Sequence, residues 1–324
     1  MQTKLIAALA ATAFGCAVNA QDIPGSAKVG TSSQGGTYFV YGSTWGGMVQ
    51  NETGVSIGIE ATGGPTQNMA LVHLGDLDFG MTTMGPAFAG ISGENPVAPG
   101  VEMTDVRAVF PMYQTPFQIL TLDGSGIESF DDLAGHKVGV GPNGSTASQF
   151  YPQFSETLGV TFDIQYGGAG DLGGQLQDGL IDVFAYAAGM PVPAFSQVAA
   201  QADAQVITFS DEQIASLLED YPSLSSFTIP AGTYQGQDAP VSTVAMWNFA
   251  IANKDVSADF VYEVTKVVLE NNADLVAGHR AGAETLLENW DKNTFLPFHA
   301  GTVRYLKEQG IEVPANLIPP EFEG

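Results

Sequence analysis

The reading of the fold turns on TFDIQYGGAGDLGGQLQDGLIDVFAYAAG (161–189). A β-rich start ends in Gly167-Gly168, a helical stretch follows, and Asp182 opens a second β-rich run. EATGGPTQNMALVHLGDLDFG (60–80) has the same order of signals. Gly63, Gly64, Gly75 and Asp78 each find their match 104 positions later, at Gly167, Gly168, Gly179 and Asp182. In a chain with 39 Gly one coincidence carries nothing, but four at one offset and in one context point to two similarly built lobes. Strands alternating with helices predict mainly parallel sheets with helical crossovers.

Working outward, each repeat is preceded by a short strand and a loop of small polar residues. Lys28 to Thr31 runs into SSQGGT (32–37) and a helix over about 38–49, followed by a strand in 55–64, a helix over 66–76 and a strand over 78–83. Lys137 to Val140 runs into GPNGST (141–146) and another helix. Two long extended runs, 107–120 and 241–253, flank the second unit. Paired antiparallel, they make two hinge strands, which places lobe 1 at 25–112 plus 245–324 and lobe 2 at 113–244. The expected architecture is therefore an α/β protein of two lobes, each a mainly parallel sheet flanked by helices, joined by the two hinge strands. After it, 257–272 has a helical stripe at Phe260, Val261, Val264, Val267 and Val268, and 273–290 reads as a second helix.

Composition narrows the function. The 324 residues are 44% hydrophobic and 14% charged, enough for packed cores and unlike a disordered chain. Ten Lys+Arg against 35 Asp+Glu give a formal charge of −25, which repels phosphate backbones and anionic lipid, so neither nucleic acid nor a membrane surface is an expected partner. Residues 1–20 read as a secretory signal peptide: Lys4, an apolar run, then Val18-Asn19-Ala20 as a cleavage site. Cleavage leaves −26 and removes Cys16, the single cysteine, whose context fits a lipidation site poorly. Export without a membrane span of the chain's own is the expectation.

Catalytic and metal signatures are missing from the sequence. There is no Gly-x-Ser-x-Gly elbow, and His73, His136, His279 and His299 stand at no metal-ligand spacing. Gly139-x-Gly141-x-x-Gly144 imitates a dinucleotide fingerprint, with Asp163 in the place of the ribose acid, but Pro142 removes an amide from the tight turn. No enzyme, cofactor or metal is expected. Four strand ends (32–37, 62–68, 141–146, 167–171) are instead rich in Gly, Ser, Thr and Asn. In parallel sheets ligands gather at such ends, where helix N-termini attract anions. The same residues also serve as ordinary turns and caps, and the four clusters together favour a cleft. Tyr38, Tyr113 and Tyr186 flank the loops. Arg107 is the best placed of three arginines for a carboxylate clamp, though an ion-paired role suits it better.

VGTSSQGGTYFVYG (29–42), the 60–80 stretch, GPNGSTAS (141–148), DVFAYAAGMPVPA (182–194) and 229–256 together resemble the TAXI family of solute-binding proteins. These serve tripartite ATP-independent periplasmic (TRAP) transporters. The resemblance implies a two-lobe, type II-like periplasmic binding protein that closes on a glutamate-like amino acid or small dicarboxylate and delivers it to TRAP membrane subunits. Carried onto this sequence, it places ligand contacts at Ser33, Gly36, Tyr38, Thr62, Gly63, Gln67, Asn68, Thr83, Asn143, Ser145, Thr146 and Gly189. A sensory receptor on the same fold and an exported α/β enzyme for a small acid are the alternatives.

Overall fold

The computed structural model describes residues 22–323; the leader reading at 1–20, with Lys4 and Cys16, lies outside them. The chain begins β1 (Ser26–Gly30), α1 (Thr37–Thr53), β2 (Ser56–Glu60), α2 (Pro65–Leu74), β3 (Phe79–Thr83) and α3 (Met84–Ile91). The long strand β4 (Val106–Leu122) leads to β5 (Lys137–Gly139), α4 (Thr146–Leu158), β6 (Asp163–Gln165), α5 (Ala169–Gln177) and β7 (Val183–Ala187). Next come α6 (Pro193–Gln201), β8 (Ala204–Ile207), α7 (Asp211–Asp220) and β9 (Ser225–Ile229). The second long strand, β10 (Val241–Asn253), is followed by α8 (Ala258–Glu270), α9 (Asn272–Gly278) and α10 (Ala300–Glu308).

Neighbouring strands run β2-β1-β3-β10-β4-β7-β5-β6, with β8 on β4 and β9 on β10. The outer triplets are parallel and joined by helical crossovers, and the two long strands are antiparallel to each other. Each long strand is shared among the cores of both lobes. Val109, Phe110, Met112 and Tyr113 of β4 pack with α1 and α8, while Phe117, Ile119 and Leu120 pack with α4 to α7. On β10 the division is the same, Val244 and Met246 on one side and Ala250 and Ala252 on the other. A third core of Met69, Val72, Phe249, Ile251 and Phe298 covers the other face of the first sheet half. This is a two-lobe periplasmic-binding-protein fold, hinged where β4 and β10 cross between cores.

The sequence repeat has a structural cause. Asp78 Oδ2 accepts the Lys28 amide at 2.7 Å, and Asp182 Oδ2 accepts the Lys137 amide at 2.9 Å, so each aspartate ties a returning strand to the first strand of its lobe. Gly75 and Gly179 end the intervening helices at φ of 75° and 70°, a conformation that costs any other residue energy. Gly64 and Gly168 are not equivalent: the first has φ 113° and the second −62°.

One expected element divides. The helix expected over 273–290 becomes α9 and two 3-10 turns, Arg280–Glu284 and Leu287–Lys292. His279 adopts extended backbone and its Nδ1 accepts the Ala281 amide at 3.1 Å, capping a new turn in place of the old one. Asn272 Nδ2 holds that turn by donating to the carbonyls of Gly282 and Thr285 at 2.7 and 3.0 Å.

Candidate functional site: the cleft between the lobes

Helices α1, α2, α3 and α4 turn their N-termini into the space between the lobes. The N-caps of α1, α2 and α3 are Gly36, Gly64 and Thr83, none of which caps through a side chain. In the second lobe Ser145 caps α4, its Oγ accepting the Ser148 amide at 3.0 Å. Each helix start adds roughly half a positive charge from its unpaired amides.

Between these ends lies a cavity of about 20 Å³, lined by Ser32, Thr37, Tyr38, Thr115, Ser145, Thr146 and Tyr186, with Pro65, Ala187 and Ala188 completing the wall. That is room for one or two water molecules. The lining contains hydroxyls and no ionised side chain, in a chain with 35 acids. The phenols stay protonated: burial, with Tyr186 and Tyr41 nearby, pushes Tyr38 far up, and burial raises Tyr186 against the opposing pull of hydrogen bonds with Ser32 and Ser33. Behind them the Tyr113 ring stands edge-on to Tyr41 and Tyr38, centroids 5.0 and 6.4 Å away, and its buried hydroxyl has no partner among the described residues.

The lobes touch all round this cavity. Thr83 and Thr146 share a hydroxyl hydrogen bond of 2.8 Å, and Thr37 Oγ1 donates to the Gly189 carbonyl at 2.5 Å. Ser33 Oγ accepts the Ala169 amide at 3.0 Å, while Gln34 and Gly35 carbonyls accept the amides of Gly170 and Ala194 at 3.2 and 3.0 Å. The Thr66 amide donates to the Gly144 carbonyl at 3.0 Å. At the hinge, Asn248 forms a buried node: Tyr38 Oη donates to its Oδ1 at 2.5 Å, and its Nδ2 donates to the Tyr113 carbonyl at 2.5 Å and Thr115 Oγ1 at 2.7 Å. The structure is therefore closed.

The residues expected to bind a ligand occupy three different settings. Tyr38, Ser145 and Thr146 line the cavity, and Thr83, Gly36 and Gly189 stand immediately behind the lining. Ser33, Gly63, Gln67 and the exposed Asn143 sit on the seam where the loops meet; Gln67 Oε1 accepts the Gly63 amide at 2.6 Å. Thr62 and Asn68 are occupied within the first lobe. Thr62 Oγ1 lies 2.7 Å from Asn68 Oδ1, and Asn68 Nδ2 donates to Thr31 and Met81 carbonyls, both at 2.9 Å, fastening β1 to β3.

Sequence reasoning passed over Thr115, although the adjacent polar pair Gln114-Thr115 in the middle of a mainly apolar strand was the available signal. Arg107 is far from any clamp: it is buried in a bidentate pair with Glu321, at 2.6 and 3.2 Å, and also donates to Thr104 and Val106 carbonyls. The Gly141 of the dinucleotide-like motif is packed against the Tyr186 ring, which a Cβ there would meet at 2.7 Å. The residues place no pyrophosphate there. Among the described residues no cluster of His, Cys, Asp and Glu is arranged to hold a metal ion. Nor is any described helix long and apolar enough to cross a membrane.

Ser145→Ala removes both a cap and a cavity hydroxyl. We expect a loss of about 1 kcal/mol in unfolding free energy, the usual value of a serine N-cap, read as a lower urea midpoint at unchanged slope. An unchanged midpoint would show that the Ser148 amide finds another acceptor.

The architecture is similar to solved structures at low identity, and the similarity shows the fold. The alkanesulfonate-binding protein SsuA from Xanthomonas axonopodis pv. citri bound to MOPS is 16% identical over 89% of this chain and 84% of its own, with a TM-score of 0.51. The periplasmic binding protein BugD is 14% identical over 78% of this chain and 82% of its own, also at 0.51. A sequence model of a single family spans residues 29–310, which covers both lobes, both hinge strands and the whole of the cleft, and on that match the chain belongs to the NMT1-like family.

Proposed function

We propose that the protein is an exported solute-binding subunit of a TRAP transporter, of the TAXI kind, that captures a small organic anion or amino acid by closing its lobes. The carrying observation is the convergence of α1, α2 and α4 N-termini, from both lobes, on one cavity walled by neutral hydroxyls. Such a wall attracts negative charge through amides and dipoles, and it supplies no cation to neutralise a second carboxylate. Among the acids that the sequence resemblance suggests, this favours a compact monoanion or amino acid over a dicarboxylate. A cavity of about 20 Å³ does not admit even such a solute, so capture starts from a more open form, and in the bound state the cavity wall gives way to the solute while the seam at Gly63 and Asn143 still closes. The solute then replaces part of the present lobe-to-lobe hydrogen bonding.

The test is a thermal-shift screen of refolded protein against small monocarboxylates, dicarboxylates and amino acids. A solute present at a hundred times its dissociation constant stabilises the folded state by about 2.7 kcal/mol. We expect monoanions or amino acids among the hits. No hit in any of the three classes overturns the proposed substrate class. For the transport role, proteoliposomes holding the membrane subunits should accumulate the hit only with this protein and an ion gradient present. Uptake that depends on ATP would place the protein with another transporter class.

A further inference from the structure

A second cavity, of about 210 Å³, lies where the lobes meet at the hinge, and it is an order of magnitude larger than the one in the cleft. An engineered cavity of about 150 Å³ takes up benzene, so this volume is that of an organic molecule rather than of isolated water. Gln114 contributes to its wall and Thr115 to the wall of the cleft. Successive strand residues point to opposite faces, so the two cavities lie on opposite sides of β4.

Two charged groups face this space. Arg280 is exposed and has no hydrogen-bond or ion-pair partner among the described residues, whereas Arg107 and Arg304 are bound to Glu321 and Asp259. In a chain with 35 acids and three arginines, an arginine without an acid is unusual. Glu284 is half-buried, and its carboxylate accepts the Gln114 amide at 2.6 Å and Gln114 Nε2 at 3.5 Å. Those two bonds leave acceptor capacity on both oxygens. Burial raises its pKa, and no cation beside it offsets that burial. Apart from Thr233 the remaining wall is apolar, with Phe227, Pro191 and Pro230 prominent.

From this arrangement we infer a second binding site, for a small zwitterion of the α-amino-acid class. Its carboxylate pairs with Arg280, its ammonium group with Glu284, and its apolar side chain lies on Phe227 and the prolines. The wall draws on both lobes: Arg280 and Glu284 belong to the segment after β10, while Pro191 and Phe227 belong to the segment between the long strands. His279 Nε2 lies 3.1 Å from the Pro191 carbonyl and joins the two segments at this point. An occupant therefore contacts both sides of the hinge, and its binding is coupled to the lobe angle.

The experiment uses the full mature chain with 13C-labelled methionine methyls and L-leucine as probe. Met190 lines the hinge cavity, and a Met190→Leu variant assigns its signal. Met246, which pairs across the sheet with Thr115 of the cleft wall, reports on the other cavity. The expected result is a saturable shift of Met190 with L-leucine. Its midpoint should weaken at least tenfold in Arg280→Ala and in Glu284→Gln. It should weaken similarly for 4-methylpentanoate and 3-methylbutylamine, which lack the amino and the carboxyl group. No saturable Met190 shift up to 10 mM, or one that neither substitution weakens, overturns the site. Shifts confined to Met246 assign the amino acid to the cleft and overturn it as well. A solute held in the cleft alone that moved Met190 through the lobe angle would keep its midpoint in Arg280→Ala and Glu284→Gln, whose side chains line only the hinge cavity, so the two readings fail separately.

Discussion

Gly63→Ala is expected to leave both lobes folded and to weaken solute binding in the cleft by about tenfold to a hundredfold, the equivalent of 1–3 kcal/mol of overpacking. Gly63 belongs to the first lobe, and a Cβ built on it would stand 2.3 Å from the Asn143 carbonyl oxygen of the second. The obstacle is backbone, which no rotamer change relieves. The other close atom, Gln67 Oε1 at 2.9 Å, is the end of a flexible side chain and gives way. Gly63 does not have a positive φ, so alanine meets no local strain and the lobe itself tolerates it. Only the closed form is penalised. Because the solute binds the closing lobes, a penalty on closure reappears as lost affinity. Two measurements check this together: titration with the solute from the screen, and the radius of gyration by X-ray scattering with and without it. The variant should be larger than the parent in both states. Unchanged affinity with unchanged compactness would mean that the loops need not meet for binding.

The same residue shows what was legible in the sequence and what was not. The offset of 104 disclosed two lobes because it is enforced by strand-tying aspartates and helix-ending glycines, whose identity is dictated locally. The crossing strands were legible as long extended runs without a helical period. The site was legible only as loops. Gly, Ser, Thr and Asn mark helix starts whether their hydroxyls face a solute, as Ser145 and Thr146 face the cavity, or brace the backbone, as Thr62 and Asn68 do. That difference depends on which loop of the other lobe arrives opposite, which spacing does not encode. The hinge cavity was illegible for the same reason, since its walls come from segments more than 160 residues apart, Gln114 and Glu284 among them. The split of the helix expected over 273–290 rests on one cap by His279, a residue weakly associated with caps. In contrast α7 begins with Ser210-x-x-Gln213, a capping box readable from spacing.

Between pH 7.5 and pH 5 the protein is expected to lose about 2 kcal/mol of stability through His299 alone. His299 is 2% exposed and starts α10, its Nδ1 accepting the Gly301 amide at 3.2 Å. Burial, reinforced by the Arg107 charge, pushes its pKa down to about 4, against about 6.5 in an unfolded chain. The unfolded state therefore binds a proton between those values and the folded state does not. Stability is fully present above the unfolded value and falls as pH drops towards the folded one. A proton on Nδ1 would also convert the acceptor of the cap into a donor facing another donor. Burial likewise lowers the pKa of His279, whose contribution falls in the same direction. The depressed carboxylates Asp182, Asp259 and Glu321 act at lower pH, because their unfolded values lie near 4, so pH 5 separates the effects. His299→Asn keeps an acceptor at the N-cap and removes the titration. Urea unfolding of parent and variant at both pH values isolates the term: the parent should lose about 2 kcal/mol more than the variant. Equal losses would mean that His299 takes up its proton in the folded state as easily as in the unfolded one, and the buried cap would not be the origin of acid sensitivity.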